Sequence, residues 1–222
     1  MYVTYLLEQL FYRTIQTFNT FREKGLRAGF TELGQTGARI FYQRASYVIL
    51  ANMLSECETT AELPPGLVIR QIASLEDIAC LRSIADSADI ARFHKLFNTG
   101  SIGFVAFEND QAVGYCWTSQ EVNQNVNRIQ SALHLRLRPG DAYVHDLFTS
   151  PMHRGKGIGK ALTSYHLQFL RERGYNRAVL DVSKDNAPAL KVNKATGYKP
   201  IGEVNHTRIL FWDRFTCNVP GL

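Results

Sequence analysis

A glycine-rich loop constrains the fold of this 222-residue chain more than any other segment. The segment Tyr143–Gly159 reads YVHDLFTSPMHRGKGIG, an apolar, strand-like stretch followed by glycines at alternate positions. Apolar residues at helical spacing continue from Ile158 to Leu170, so the loop opens a helix with one buried face. Backbone N–H groups and the positive end of the helix dipole therefore meet at the loop, which favours a phosphate or diphosphate ligand.

The spacing within the loop separates the known classes of phosphate loop. A nucleoside triphosphatase loop is excluded, because Gly159-Lys160 is followed by alanine and Arg154 stands where the first glycine belongs. A dinucleotide fingerprint fits poorly, since the glycines follow the pattern Gly-x-Gly-x-Gly and too few residues remain for the usual six-stranded domain. Asp181 nevertheless lies where a ribose-binding acid is expected, so this interpretation stays an alternative.

Two sequence signatures, which follow each other in the expected order, resemble those of a third class of phosphate-binding protein. Arg154-x-x-Gly157-x-Gly159 resembles the coenzyme A diphosphate loop of the GNAT acyltransferase superfamily, and LFTSP stands in the place of that family's fourth strand. Downstream, Asn186, Ala189, Gly197 and Tyr198 are similar to its second signature, an Asn-initiated helix that ends in Gly and an aromatic residue. The resemblance covers residues 67–215 and implies an α/β (α+β) fold. Its sheet is mixed but mostly antiparallel, with strands four and five splayed apart and helices on both sides.

The resemblance also implies a co-substrate, acetyl-CoA, and the residues that bind it; it implies no metal. The fourth strand lends backbone groups to the pantetheine arm, and the loop and the Asn-initiated helix complete the site. The expected coenzyme-binding residues are Leu147, Phe148, Thr149, Arg154, Gly155, Lys156, Gly157, Ile158, Gly159, Lys160 and Asn186.

His145 and Asp146 are the candidate catalytic bases, because they lie just before the fourth-strand segment. Adjacent strand residues point to opposite faces, so we expect only one of the two to face the acceptor. Histidine ionises near neutrality and ranks first. Asn193 stands where many members of the family carry a tyrosine that protonates the leaving thiolate. No general acid is therefore assigned, although a thiolate is a tolerable leaving group without one.

The domain organisation is predicted from composition and periodicity. The acidic, proline-containing residues 55–66 indicate a linker, and residues 67–222 the acyltransferase domain. Within that domain we expect a first strand at 67–73, helices at 75–86 and 88–98, and strands at 101–108 and 111–121 around the turn Asn109-Asp110. The helix after the loop ends at Gly174, and a strand follows at 177–183.

Residues 1–54 lie outside the resemblance. Apolar residues at helical spacing predict two helices, the second carrying Ile40, Tyr47, Val48, Ala51 and Leu54. We expect this helical extension to pack on the catalytic domain or on a second copy of the chain, giving a homodimer. A surface for a carrier protein, an acyl chain or a membrane interface is the alternative.

Residues 123–141 form a longer connection than the family requires. Leu133, Leu135 and Leu137 alternate with His134, Arg136 and Arg138, which predicts an amphipathic strand. A charged edge strand is the simpler interpretation, and a wall for an acidic acceptor is the alternative.

The amino-acid composition limits the kinds of binding partner that we expect. A net charge of +5 favours an anionic ligand, for which coenzyme A is sufficient, and the absence of a dense Lys/Arg run argues against nucleic acid. Four scattered cysteines, no recognisable signal peptide and no apolar run of spanning length indicate a cytoplasmic protein, with membrane association not expected.

These observations predict an acyl-CoA-dependent N-acyltransferase that moves an acetyl group to the amine of a small molecule or peptide. Two alternatives stay open. The aromatic N-terminal segment is compatible with a longer acyl donor, and the missing tyrosine is compatible with a catalytically silent module that binds coenzyme A or docks a partner.

Overall fold

The computed structural model describes residues 42–56, 63–119, 137–209 and 212–219. Its strands are β1 (Tyr42–Met53), β2 (Leu67–Gln71), β3 (Ile102–Glu108), β4 (Gln111–Ser119), β5 (Asp141–Thr149), β6 (Arg177–Ser183), β7 (Lys199–Ile209) and β8 (Trp212–Asn218). Its α-helices are α1 (Leu75–Ala79), α2 (Ser87–Asn98), α3 (Ile158–Glu172) and α4 (Ala187–Ala195). Short three-ten turns occupy Leu54–Glu56, Cys80–Ser83 and Pro151–His153.

The strands are ordered β2-β3-β4-β5-β6-β1-β7-β8 in one sheet. The pairs β2–β3, β3–β4, β4–β5 and β1–β6 are antiparallel, and β5–β6 is parallel. The chain divides into two compact units, 46–204 with 217–222, and 1–45 with 205–216. Everything described below as the site belongs to the larger unit. In the smaller unit, the rings of His206 and Phe215 stack with centroids 4.3 Å apart.

Local sequence signals account for several element boundaries. Ser74 and Asp77 form a capping box at α1, Asp86 caps α2, and Asn186 caps α4. Asn109 and Asp110 both have positive φ, at 50° and 60°, as a two-residue hairpin turn between β3 and β4 requires. These strands and helices agree with the elements predicted for residues 67–119 and 158–197.

The two faces of the sheet carry different helices. One face buries Phe104 and Val144 under α3, whose inner side includes Leu162 and Leu167. The other face packs against α1 and α2, where the ring of Phe93 stacks on the fully buried Trp117 with centroids 5.5 Å apart. Burial of apolar side chains on both faces stabilises the sheet and fixes which residues of each strand face which helices.

The prediction of a second N-terminal helix is wrong. Residues 42–53 form β1, which lies between β6 and β7 and pairs with β6 from Tyr47↔Ser183 to Met53↔Arg177. Ile49, Leu50 and Ala51 are consecutive and all buried, because an interior strand is covered on both faces and its apolar run has no clean period of two. The sheet thus includes residues on the N-terminal side of the predicted linker.

Two other predictions lie outside the described residues. The first N-terminal helix was expected within residues 1–41, and most of the amphipathic strand within residues 120–136. Among the residues that the structure describes, no helix is long and apolar enough to cross a membrane.

Candidate functional site

A cavity of about 200 Å³ opens where β5 and β6 separate. The parallel pairing runs only from Asp141↔Arg177 to Tyr143↔Val179, and an ion pair between the side chains of Asp141 and Arg177 closes that end. Beyond Tyr143, residues of both strands line the cavity instead of bonding to each other. The backbone groups of β5 that face the gap are therefore available to a ligand.

A β-bulge lies in β5 at the cavity. Trp117 of β4 pairs with His145 and Tyr115 pairs with Phe148, so two residues of β5, Asp146 and Leu147, stand opposite one residue of β4. Asp146 has a φ of 56°, a left-handed conformation that aspartate adopts more readily than most residues. The bulge interrupts the alternation of side chains along the strand.

The bulge places His145 and Asp146 together, and the prediction that they point to opposite faces is wrong. The imidazole Nδ1 of His145 lies 2.9 Å from Oδ2 of Asp146. Alternation applies only to a regular strand, and the left-handed residue turns Asp146 back toward the face that His145 occupies. The two candidate bases are thus one hydrogen-bonded pair.

Arg92 of α2 contacts the same oxygen of the Asp146 carboxylate as His145 does. Its guanidinium donates to Asp146 Oδ2 and, at 2.7 Å, to Asp89 Oδ1. Burial alone would raise the pKa of Asp146, but the hydrogen bonds and charges of His145 and Arg92 lower it to about 2. Asp146 is therefore an anion at neutral pH and a weak proton acceptor by itself.

The second imidazole nitrogen of His145 is also bonded. Nε2 lies 3.0 Å from the hydroxyl of Ser119, which lies 3.1 Å from the hydroxyl of Ser101. Because the Asp146 carboxylate can only accept, we assign the proton of neutral His145 to Nδ1 and the lone pair to Nε2. Ser119 then donates to Nε2, and a chain of hydroxyls leads away from the imidazole.

Tyr143 and Asp181 adjoin this pair. The ring of Tyr143 stacks on His145 with centroids 5.8 Å apart, and its hydroxyl donates to Asp181 Oδ1. No sequence pattern predicts a catalytic or acceptor role for Arg92, Ser119, Tyr143 or Asp181. The one indication in the sequence is Asp181 itself, a carboxylate within the otherwise apolar run of β6.

The glycine loop has the backbone geometry expected of an anion cradle. Gly155 and Gly157 have φ values of 79° and 82°, and Gly157, the N-cap residue of α3, provides no side-chain cap. The first N–H groups of α3 are thus not satisfied by a capping side chain, as a diphosphate site requires. Arg154 donates from Nε to the carbonyl of Thr149 at 3.2 Å, and Lys156 pairs with Glu108 at 3.0 Å.

The other predicted coenzyme-binding residues fall into distinct groups. Leu147 and Asn186 line the cavity, whereas Ile158 is buried in the core and Lys160 is exposed. Phe148 stacks on Tyr115 with centroids 5.1 Å apart, on the α1/α2 face of the sheet. The side chain of Phe148 therefore packs away from the α3 face, and only its backbone can contribute to the expected pantetheine site.

Gly159 keeps a narrow gap open at the start of α3. A Cβ atom at Gly159 would lie 3.4 Å from Thr149 Oγ1 and 3.8 Å from Val192 Cγ2, so a methyl group fits and a large side chain does not. The side chain of Asn186 accepts from the N–H of Ala189 at 3.2 Å and caps α4, the helix that carries Val192.

The dinucleotide alternative does not agree with the topology. Such a domain has a mostly parallel sheet, whereas β5 is parallel only to β6 and antiparallel to β4. Asp181 bonds to Tyr143 within that splayed pair.

Comparisons with known proteins agree on one family. The model of the Acetyltransferase (GNAT) family matches residues 69–198. Mycothiol acetyltransferase of Saccharomonospora viridis is 37% identical over 102 residues, which is 45% of this chain and 30% of the relative. Streptothricin acetyltransferase of Streptomyces lavendulae is 40% identical over 55 residues, 25% of this chain and 29% of the relative. The chain thus matches less than a third of the length of either protein.

A solved structure supports the fold. The tandem GNAT protein from the clavulanic acid biosynthesis pathway superposes with a TM-score of 0.57 at 16% identity, covering 80% of this chain and 58% of that one. The predicted fold, with its mostly antiparallel sheet and splayed strand pair, is confirmed.

Proposed function

The chain belongs to the GNAT acetyltransferase family, and from that membership we propose that it transfers an acetyl group from acetyl-CoA to an amine. One observation carries the proposal. The cavity between β5 and β6 is lined by the hydrogen-bonded histidine–aspartate pair of β5 and by Thr163 of α3, whose hydroxyl donates to the carbonyl of Gly159 in the glycine loop. A phosphate-bearing donor and a proton acceptor are the two requirements of this reaction, and the loop and the pair provide for them.

The donor side would hold coenzyme A mainly through the backbone. The N–H groups of Gly157, Ile158 and Gly159 at the uncapped start of α3 would bind the diphosphate, and Arg154 would add charge. The backbone groups of β5 beyond Tyr143 would bind the pantetheine arm and polarise the thioester carbonyl. Bound acetyl-CoA supplies the activated acetyl group.

His145 is the proposed base. Asp146 fixes the imidazole tautomer through Nδ1, and Nε2 takes a proton from the amine, directly or through the Ser119 hydroxyl. The low pKa of Asp146 suits this role, because an anion beside the imidazole stabilises the imidazolium that forms. Asn193 provides no acid, so the thiolate leaves unprotonated, as a group with a pKa of about 8.5 can.

Two substitutions at one position test the donor site. Gly159→Trp should abolish acetyl-CoA binding in isothermal titration calorimetry, because the indole fills the gap between Thr149 and Val192. Gly159→Ala is the matched control and should retain most of the affinity, since its methyl group makes only ordinary contacts. Circular dichroism would verify that both variants fold. If the tryptophan variant binds acetyl-CoA as tightly as the alanine variant, the proposed donor site is wrong.

A further inference from the structure

The strands β7 and β8 carry two exposed apolar side chains where the chain passes from one to the other. Ile209 ends β7 and is 55% exposed, and Trp212 begins β8 and is 84% exposed. In the sequence, Leu210 and Phe211 stand between them, so four consecutive residues at this turn are apolar. Turns between strands normally carry polar residues, glycine or proline, so an apolar turn with an exposed tryptophan indicates a binding surface.

The alternation of side chains along a strand places both residues on one face. The rings of His206 and Phe215 stack, and His206 is buried. Ile209 lies three residues after His206 and Trp212 three residues before Phe215, so both point to the face opposite the stack. Arg214 lies two residues after Trp212, on that same face, and is exposed. This outward face therefore presents two apolar side chains and a cation.

The positive charge of the chain is concentrated in the same unit. The smaller unit, residues 1–45 and 205–216, contains eight arginines and lysines and four aspartates and glutamates. Its 57 residues thus carry +4 of the net charge of +5, and they include 12 of the 25 aromatic residues. A unit that is both basic and rich in aromatic residues fits a partner that is anionic and partly apolar.

We propose that the outward face of β7 and β8 docks the chain on an anionic phospholipid membrane. Tryptophan is enriched at the boundary of headgroups and acyl chains, where Ile209 also leaves water. The guanidinium of Arg214 would pair with lipid phosphates. Peripheral docking of this kind needs no spanning segment, so the lack of an apolar run of spanning length does not exclude it.

The charge favours a membrane over the other occupants of such a face. A second copy of the chain would bring an equally basic unit against this one, and like charges repel. A nucleic acid is anionic, but its phosphate surface offers no apolar medium for Ile209 to enter. An anionic bilayer offers both phosphates and an apolar interior.

Intrinsic fluorescence provides the first test, because the chain has two tryptophans and the other, Trp117, is fully buried. The full chain is titrated with vesicles of phosphatidylcholine and phosphatidylglycerol in a ratio of about 7:3. The emission should shift to shorter wavelength as Trp212 leaves water, and lipids brominated on their acyl chains should quench it. Vesicles of phosphatidylcholine alone should bind at least about tenfold more weakly.

Three variants are compared by co-sedimentation with the same vesicles. Trp212→Ser should lower the affinity for the anionic vesicles at least about tenfold. Met152→Ser is the matched control, since Met152 is also 84% exposed but lies in the larger unit, and it should bind like the wild type. Arg214→Gln should cost about fivefold on the anionic vesicles and nothing on the neutral ones. Circular dichroism verifies that each variant folds.

An emission spectrum that anionic vesicles leave unchanged, or equal binding by Trp212→Ser and Met152→Ser, would overturn the inference. A wild-type dimer that dissociates in Trp212→Ser, seen by light scattering in the absence of vesicle binding, would also overturn it and would assign the face to a second copy. These measurements use no acetyl-CoA, so they can fail while the proposed acetyl transfer holds.

Discussion

The glycine loop and the bulged strand lie close in sequence but use different chemistry. The loop at 154–159 offers backbone N–H groups at an uncapped helix start, held by two glycines with positive φ. The bulge on β5 offers side chains, His145 and Asp146, which Arg92 and Ser119 hold from other elements. The donor side is thus built by local conformation and the acceptor side by tertiary contacts.

The donor side and the acceptor side should therefore differ in how well they tolerate substitutions. A backbone cradle accepts many side chains provided that its φ angles are kept. A side-chain network fails when any one of its members is changed, because each group is positioned by the next. We therefore expect donor affinity and acceptor chemistry to respond to separate sets of substitutions.

The largest expected effect is on the acceptor side. His145→Ala should lower kcat by about 100-fold or more, since it removes the proton acceptor. The affinity for acetyl-CoA, measured by calorimetry, should stay within about twofold because the loop does not depend on the imidazole. A comparable loss of acetyl-CoA affinity would show that the two sides are not separate.

Arg92→Met should reduce the free energy of unfolding by about 1–2 kcal/mol at pH 7, allowing for the partly exposed guanidinium. Arg92 helps to lower the pKa of Asp146 from 3.8 to about 2. A depressed carboxyl pKa stabilises the fold above pH 3.8, and that contribution is lost as the pH falls through about 2. Urea denaturation from pH 7 to pH 2 should therefore show the difference between the two proteins narrowing below about pH 4 and closing toward pH 2.

A control for this measurement is Arg82→Met, which removes an exposed arginine of the turn that follows α1. Its effect should be small at every pH. A gap between Arg92→Met and wild type that is independent of pH would mean that Arg92 acts through packing instead of through Asp146.

Ser119→Ala should lower kcat about fivefold, the value of one neutral hydrogen bond, because Nε2 of His145 loses its donor. Ser101→Ala removes a hydroxyl one step further from the imidazole and should cost less. Steady-state kinetics of both variants would compare the two hydroxyls. Equal or reversed effects would argue against a chain of hydroxyls that leads from His145.

The smallest effect is expected on the donor side. Lys156→Ala breaks an exposed ion pair with Glu108, which contributes at most about 0.5 kcal/mol to folding. The affinity for acetyl-CoA should fall about threefold at low salt and less at high salt, because the ammonium acts by screened charge. A tenfold or larger loss would show that the cradle depends on side chains after all.

The division between local conformation and tertiary contacts also explains which parts of the structure the sequence could predict. The loop, α3 and α4 follow from glycine spacing, helical periodicity and the capping residue Asn186, all of which are local. The contact between Arg92 and Asp146 joins residues 54 positions apart, and no local pattern predicts such a partner. The apolar spacing of β1 predicts a helix although the segment is a strand, because an interior strand carries apolar residues on both faces.

Because of the bulge, the number of residues in β5 matters independently of which residues they are. Deleting one residue between His145 and Phe148 would leave a single residue opposite Cys116 and restore regular pairing, with Phe148 still opposite Tyr115. The remaining residue would point to the face opposite His145, so the contact between the imidazole and a carboxylate at the bulge would be lost. Insertions and deletions are therefore excluded from this segment more strictly than substitutions. A relative that keeps both signatures but is one residue shorter here must build its acceptor side differently.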